Sequence, residues 1–227
     1  MVTFRDKKLL VFGDSIMYGS GNDGVGIGEY LRDILGFKLL KYCVGGARVG
    51  YQEDKDWIVR QVREAVKNGE TADYIVFDGF TNDCNMTDGK NCDIAFGEIT
   101  DGYDNFDIFA VKAEGSTFSN CLENIMHALN KYFPDAKKLF VRPHNMGRRD
   151  DYAQRLYGER ALEICKKWGV PVADIYKDSG MNTFLPEDRD RYTGDTYGWG
   201  RGDCTHPNEA GYLEKYMPVI TEALKKL

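Results

Sequence analysis

The feature that most constrains this chain is the regular return of short apolar runs separated by stretches of helical spacing. A buried strand followed by an amphipathic helix builds βαβ units, whose crossovers impose a parallel sheet covered on both faces. The runs place strands at Lys8 to Gly13, Lys38 to Val44, Tyr74 to Asp78, Lys138 to Arg142 and Val170 to Ile175. Between them, Trp57 to Lys67 carries Trp57, Val59, Val62 and Val66 at helical spacing, and Phe118 to Tyr132 carries Leu122, Ile125, Met126, Leu129 and Tyr132. Helices at Tyr152 to Trp168 and Asn208 to Leu227 complete the pattern. The expectation is an α/β chain with a doubly wound, five-stranded parallel sheet in one domain spanning residues 1–227. A chain of this length buries about 70–75% of its unfolded surface and needs no metal or crosslink to hold it together.

Two stretches break the rhythm. Cys84 to Gly115 has no clear period and reads as a long, insertion-like loop, and a connection of that length in a compact domain is usually functional or mobile. Leu185 to Asp203 mixes charges with Tyr192, Tyr197 and Trp199 among glycines. Open α/β sheets bind ligands outside the carboxyl ends of their strands, so both stretches are candidate pocket walls.

Charge and composition narrow the partners. Thirty basic against thirty-six acidic residues leave a net charge of −6, and no Lys/Arg block marks a nucleic-acid footprint. No apolar run reaches the roughly 20 residues of a membrane-spanning helix. The six cysteines, Cys43, Cys84, Cys92, Cys121, Cys165 and Cys204, form no Cys-x-x-Cys pair and read as reduced, small hydrophobes. The first residues show no signal-peptide core, which makes the chain as given cytoplasmic, or secreted if a leader has been trimmed. Oligomeric state is left open.

Four blocks carry chemistry. The first strand runs into Gly13-Asp14-Ser15, which sets a serine hydroxyl in the turn beyond a buried strand; a helix cap is the plainer use of such a serine. Asp203 precedes His206 by three residues, a spacing that lets a carboxylate fold back onto one imidazole nitrogen while the other faces a serine. Asn82, after the third strand, offers an amide donor, and Gly45-Gly46, after the second, lets a substrate oxygen approach a backbone N–H. Each alone is commonly a turn. Together, Ser15, Gly46, Asn82 and His206 each follow a strand or open the last helix on the ligand-binding edge.

These blocks resemble those of the SGNH, or GDSL, hydrolase family of esterases and lipases. Gly13-Asp14-Ser15 is similar to its nucleophile block, Gly45-Gly46-Ala47 to its glycine block, Thr81-Asn82-Asp83 to its asparagine block and Asp203-Cys204-Thr205-His206 to its Asp-x-x-His block. Order and separation agree across nearly the whole chain. One departure stands out: Phe80 occupies the position two before the asparagine where the family usually has glycine. The resemblance implies a flavodoxin-like three-layer α/β/α sandwich, no metal and no cofactor. It also implies Ser15 as nucleophile, His206 as general base and acid, Asp203 as its partner, and an oxyanion hole formed by the N–H groups of Ser15 and Gly46 with the Asn82 amide.

Other readings fit less well. No Gly-x-Ser-x-Gly elbow or Walker loop occurs. Gly19-Ser20-Gly21-Asn22-Asp23-Gly24 spells G-x-G-x-x-G, but it begins six residues after the first strand, and no acidic residue closes a second strand on schedule. Three histidines without paired spacing do not suggest a metal site. Asp14, Arg48, Phe80, His144, Tyr197, Trp199 and Arg201 are candidate substrate-contacting residues, the aromatic and arginine members suiting a sugar ring. No long apolar lid recommends a lipid chain. The expected substrate is a small or carbohydrate ester with a short acyl group, O-acetyl above all. A short-chain lipid or thioester is the alternative, and a non-catalytic carbohydrate-binding module on the same fold is a third reading.

Overall fold

Leu9, Leu10, Val11 and Phe12 have no exposed surface, so the strand they form, β1 (Lys8–Phe12), must be covered on both faces and flanked on both edges. It pairs in parallel with β2 (Lys38–Lys41) on one side and β3 (Tyr74–Phe77) on the other. β4 (Lys137–Arg142) and β5 (Val172–Asp174) extend the sheet in parallel, giving the order β2-β1-β3-β4-β5. This is the flavodoxin-like arrangement, with its reversal of direction between β1 and β3. The computed structural model describes residues 3–51, 57–85, 94–112 and 114–227.

The helices follow from the crossovers. A short α1 (Ser15–Tyr18) and α2 (Ile27–Leu35) lead from β1 to β2; α3 (Ile58–Lys67), α4 (Phe118–Tyr132) and α5 (Asp151–Trp168) link the next strands in turn. Two single-turn or short helices, α6 (Ile175–Asp178) and α7 (Pro186–Tyr192), precede a π-helical stretch, Gly211–Tyr216, that runs into α8 (Met217–Lys225). α2 packs with α8, while α3, α4 and α5 pack in sequence, forming the two outer layers. The sequence pattern passes over α2, although Ile27, Tyr30 and Leu31 are buried on one side and Glu29 accepts the Gly26 N–H at 2.9 Å in a capping arrangement.

Two expectations change. The C-terminal helix is not uniformly α-helical. Pro218 has no N–H to donate back to the preceding turn, and the chain widens into the π-helical stretch just before it. Leu185 to Asp203 is not wholly irregular, since Pro186 at the first turn starts α7.

The 84–115 segment also differs in its described parts. Residues 94–112 lie on the helices: Arg63 of α3 holds the Ile108 and Val111 carbonyls at 2.5 Å, and Lys167 of α5 holds those of Thr100 and Gly102. Of its described residues, only Cys84 and Asn85 line the concavity beside the cleft described below. Residues 86–93, with Cys92, and residue 113 lie outside the described residues. The other five cysteines are free thiols, four of them buried. Among the described residues no helix is long and apolar enough to cross a membrane.

Candidate active site

Ser15 is positioned by the turn that ends β1. Asp14 caps α1 by accepting the Ile16 N–H (2.8 Å) and donates its own N–H to Asp78 Oδ1 (3.0 Å). Ser15 thereby opens α1 at the carboxyl edge of the sheet, in the crevice between β1 and β3 where strand order reverses.

The histidine arrives from the far end of the chain. Cys204 adopts a left-handed backbone (φ 68°), which folds Asp203 back so that its Oδ1 accepts the N–H groups of Thr205 and His206, both at 2.8 Å. Asp203 Oδ2 meets His206 Nδ1 at 2.6 Å. A carboxylate can only accept, so Nδ1 carries the ring proton and Nε2 is the acceptor facing Ser15 Oγ, 2.9 Å away. The Thr196 hydroxyl donates to Asp203 Oδ2 as well. Burial alone would raise the Asp203 carboxyl. The His206 ring and its charge, the His206 backbone N–H and Thr196 together outweigh it and bring the carboxyl down to about 2, so it is ionised.

The remaining blocks converge on the same crevice. Gly46 sits at φ +82°, a conformation that favours glycine, although nothing crowds the place of a Cβ. Among the described residues, the backbone N–H groups of Ser15 and Gly46 donate to no protein acceptor. Asn82 uses one amide proton on the Ala47 carbonyl (3.0 Å), which ties its turn to the glycine block. Its neighbour Asp83 braces that block by accepting the N–H groups of Val49 and Gly50. Arg149, seven residues beyond β4, donates Nε to the Thr81 carbonyl (2.6 Å) and Nη2 to Asn82 Oδ1 (3.2 Å). Guanidinium only donates and a carbonyl only accepts, so these contacts fix which end of the Asn82 amide points where.

Three buried carboxyls brace the turns around this crevice. Burial pushes Asp83 up to about 7, against the opposing pull of its two N–H bonds and the Arg48 charge. Burial, reinforced by the charge of Asp14, raises Asp78 well above the usual carboxylate range, and burial raises Asp14 too. Among the described residues no group of three or more His, Cys, Asp or Glu side chains forms a metal-binding arrangement.

The cleft over Ser15 encloses about 400 Å³ and is lined by Ser15, Ser20, Gly45, Gly46, Asn82, Arg149, Thr196, Tyr197 and His206. A larger, mostly apolar concavity of about 500 Å³ lies between the start of β5 and α8, among Pro171, Val219 and Leu227; it holds no nucleophile and is remote from this edge.

Of the candidate substrate-contacting residues, Tyr197 lines the cleft and Trp199 stacks on it, ring centroids 4.8 Å apart. Arg201 stands 5.8 Å from the Trp199 ring at the surface. Four candidates are corrected. Asp14 is fully buried and caps α1, because its carboxylate completes the nucleophile turn. His144 is fully buried, with Nδ1 bonded to the Tyr216 hydroxyl at 2.7 Å, since the π-helical stretch closes over it. Phe80 is 2% exposed and points into the core, and its backbone takes φ 129°, the left-handed region that suits the glycine usual at this position. Arg48 is 9% exposed and joins the bridge to Trp57 beside Asp83 instead of lining the cleft.

Sequence reasoning missed Thr196, Ser20, Arg148 and Arg149. Only the location of the two arginines after the fourth strand offers a signal. The G-x-G-x-x-G spelling also finds its cause: a Cβ at Gly21 would lie 2.5 Å from the His206 carbonyl, so the glycine lets the loop after α1 pack against the histidine.

A parallel five-stranded sheet of flavodoxin-like order carrying serine, histidine and aspartate in hydrogen-bonded sequence at its carboxyl edge is an arrangement suited to a hydrolase. The chain belongs to the GDSL-like Lipase/Acylhydrolase family, whose profile matches residues 11–213. That family stands for acyl hydrolysis of the esterase and lipase type. No curated protein sequence matches the chain. Among solved structures, a protein from Lactobacillus plantarum is similar at 23% identity and TM-score 0.69, covering 100% of this chain and 97% of its own. A lipase/acylhydrolase from Enterococcus faecalis is similar at 15% identity and TM-score 0.59, covering 97% of this chain and 96% of its own. The psychrotrophic esterase EstA from Pseudoalteromonas sp., in a structure inhibited by monoethylphosphonate, is similar at 13% identity and TM-score 0.58, covering 97% of this chain and 98% of its own.

Proposed function

We propose that this chain is a serine esterase that hydrolyses short acyl esters, O-acetyl groups on carbohydrate above all, through an acyl-Ser15 intermediate. The observation that carries the reading is the unbroken relay from Asp203 Oδ2 through both nitrogens of His206 to Ser15 Oγ. His206 Nε2 takes the hydroxyl proton as Oγ attacks the ester carbonyl. The oxyanion is met by the N–H groups of Ser15 and Gly46 and by the second amide proton of Asn82. His206 then returns the proton to the departing alcohol, leaving acyl-Ser15. Water, losing a proton to Nε2, attacks the acyl carbon, and Oγ recovers that proton as the acid departs. Asp203, ionised throughout, offsets the imidazolium charge of both steps.

The short-acyl preference rests on the cleft wall, where small and polar residues, Ser20, Gly45, Gly46, Asn82 and Thr196, surround Ser15 and Tyr197 supplies the one large apolar surface, which offers a long alkyl chain little to bury against. The sugar preference rests on the exposed Tyr197–Trp199 stack at the rim, a flat face of the kind that takes a pyranose ring. The test compares p-nitrophenyl acetate, butyrate and octanoate, then acetylated sugars, on wild type and Ser15→Ala. Acetyl turnover that vanishes in Ser15→Ala is expected. Activity that rises steeply with chain length would sink the acyl preference, and undiminished turnover in Ser15→Ala would sink the serine mechanism.

A further inference from the structure

Beside the cleft lies a second concavity of about 350 Å³, whose walls include Arg148, Arg149, Asp150, Asn85, Asn82 and Tyr197. Asn82, Arg149 and Tyr197 also line the cleft over Ser15, so the two spaces adjoin. Neither arginine has a carboxylate within ion-pairing distance among the described residues. Elsewhere among the described residues Arg142, Arg160, Arg189 and Arg191 each pair with at least one acid, while Arg5, Arg60 and Arg201, without one, stand singly at the surface. In a protein with six more acids than bases, two adjacent guanidinium groups without an acid partner at the mouth of the cleft call for an anion.

Their geometry is prepared for one. Arg148 Cζ lies 4.1 and 5.0 Å from the ring centroids of Tyr197 and Trp199, cation–π contacts that restrain it, and among the described residues its N–H groups meet no protein acceptor. Arg149 uses Nε and one Nη2 proton on Thr81 and Asn82 and retains the rest of its donor fork. The one acid in the wall, Asp150, accepts the Ala153 N–H as the cap of α5. Asp14, whose charge also acts on Arg149, is fully buried and caps α1.

We infer that the space between Arg148 and Arg149 binds an anionic group on the alcohol portion of the substrate, so that the ester hydrolysed at Ser15 is that of a carboxylate- or phosphate-bearing molecule. This rests on the reading of Ser15 as the esterase nucleophile. It adds a class to the substrate: an acidic alcohol whose charge lies a few bonds from the scissile oxygen. A bidentate guanidinium contact discriminates by geometry as well as charge.

The experiment compares para-acetoxybenzoate with its neutral methyl ester, and para-acetoxyphenyl phosphate with acetoxybenzene, by acetate release. Wild type is expected to favour each anionic ester in kcat/KM by about tenfold or more after correction for intrinsic reactivity. The preference should shrink with added salt and fall toward unity in Arg148→Gln. Preference for the carboxylate or for the phosphate member distinguishes the two anions. A wild-type ratio near one, or one that Arg148→Gln does not change, overturns the inference while the esterase reading stands on the neutral esters. If no ester is hydrolysed, the esterase reading fails instead. The anion site is then judged by calorimetry with para-hydroxybenzoate against its methyl ester, where equal affinity overturns it and tighter binding of the anion upholds it.

Discussion

Arg149 Nη2 donates to Asn82 Oδ1 at 3.2 Å, so the side chain proposed to offer a proton to the oxyanion is itself held by an arginine from beyond the next strand. Asn82→Ala is expected to lower kcat by about 10² to 10³ with KM little changed. Arg149→Lys keeps the charge but loses the fork, and should lower kcat by about tenfold. If Arg149 acts on turnover through Asn82, the lysine change costs far less in the Asn82→Ala background. Additive losses in steady-state kinetics of the double variant would contradict that coupling.

Asp203→Asn removes the carboxylate that fixes the His206 tautomer while preserving size. The expected loss in kcat is about 10³ to 10⁴. Thr196→Val, which removes only one hydrogen bond to the same carboxylate, should cost far less. Burst kinetics with p-nitrophenyl acetate check both, and equal losses would refute the order of importance.

The buried carboxyls act on stability in a defined direction. Asp83, raised from 3.8 to about 7, binds its proton more tightly folded than unfolded, so its contribution is full below about pH 4 and is lost as pH rises through about 7. Asp78 and Asp14 act in the same sense, whereas Asp203, lowered to about 2, contributes above about pH 4 and loses that contribution as pH falls toward 2. Urea midpoints of the wild type should therefore include a decline toward neutral pH. Asp78→Asn, whose amide oxygen still accepts the Asp14 N–H, should flatten that decline. An unchanged pH profile in the variant would count against the assignment.

Phe80→Gly pits two effects against each other. Relief of the φ 129° backbone recovers about 1–3 kcal/mol. Loss of a ring that is 2% exposed costs about 3–5 kcal/mol. Packing wins, so restoring the family's usual glycine should destabilise the protein by about 2 kcal/mol, and a rise in Tm would overturn the estimate.

The strands, the covering helices other than α2 and the four blocks were legible because each is written locally, as an apolar run or a short spacing. Even the ends agree in part: β2 ends at Lys41, three residues before the expected Val44, yet Tyr42 and Val44 still donate to the Val11 and Gly13 carbonyls of the β1 turn. Thr196 and Arg149 were illegible because neither belongs to a motif. They matter only through what the fold brings beside them, a carboxylate seven residues on for Thr196 and an amide on the neighbouring strand's turn for Arg149. His144, Asp14 and Phe80 were misread for the opposite reason. Their sequence neighbourhood is that of the site, but their side chains turn inward from it.

The hydrogen bond from Ser15 to His206 closes a span of 191 positions. During synthesis Ser15 and most of the sheet emerge long before His206. A nascent chain that has folded β1 through β5 holds Ser15 without its imidazole partner. The relay is completed only when His206 arrives and Gly21 receives the His206 carbonyl against it.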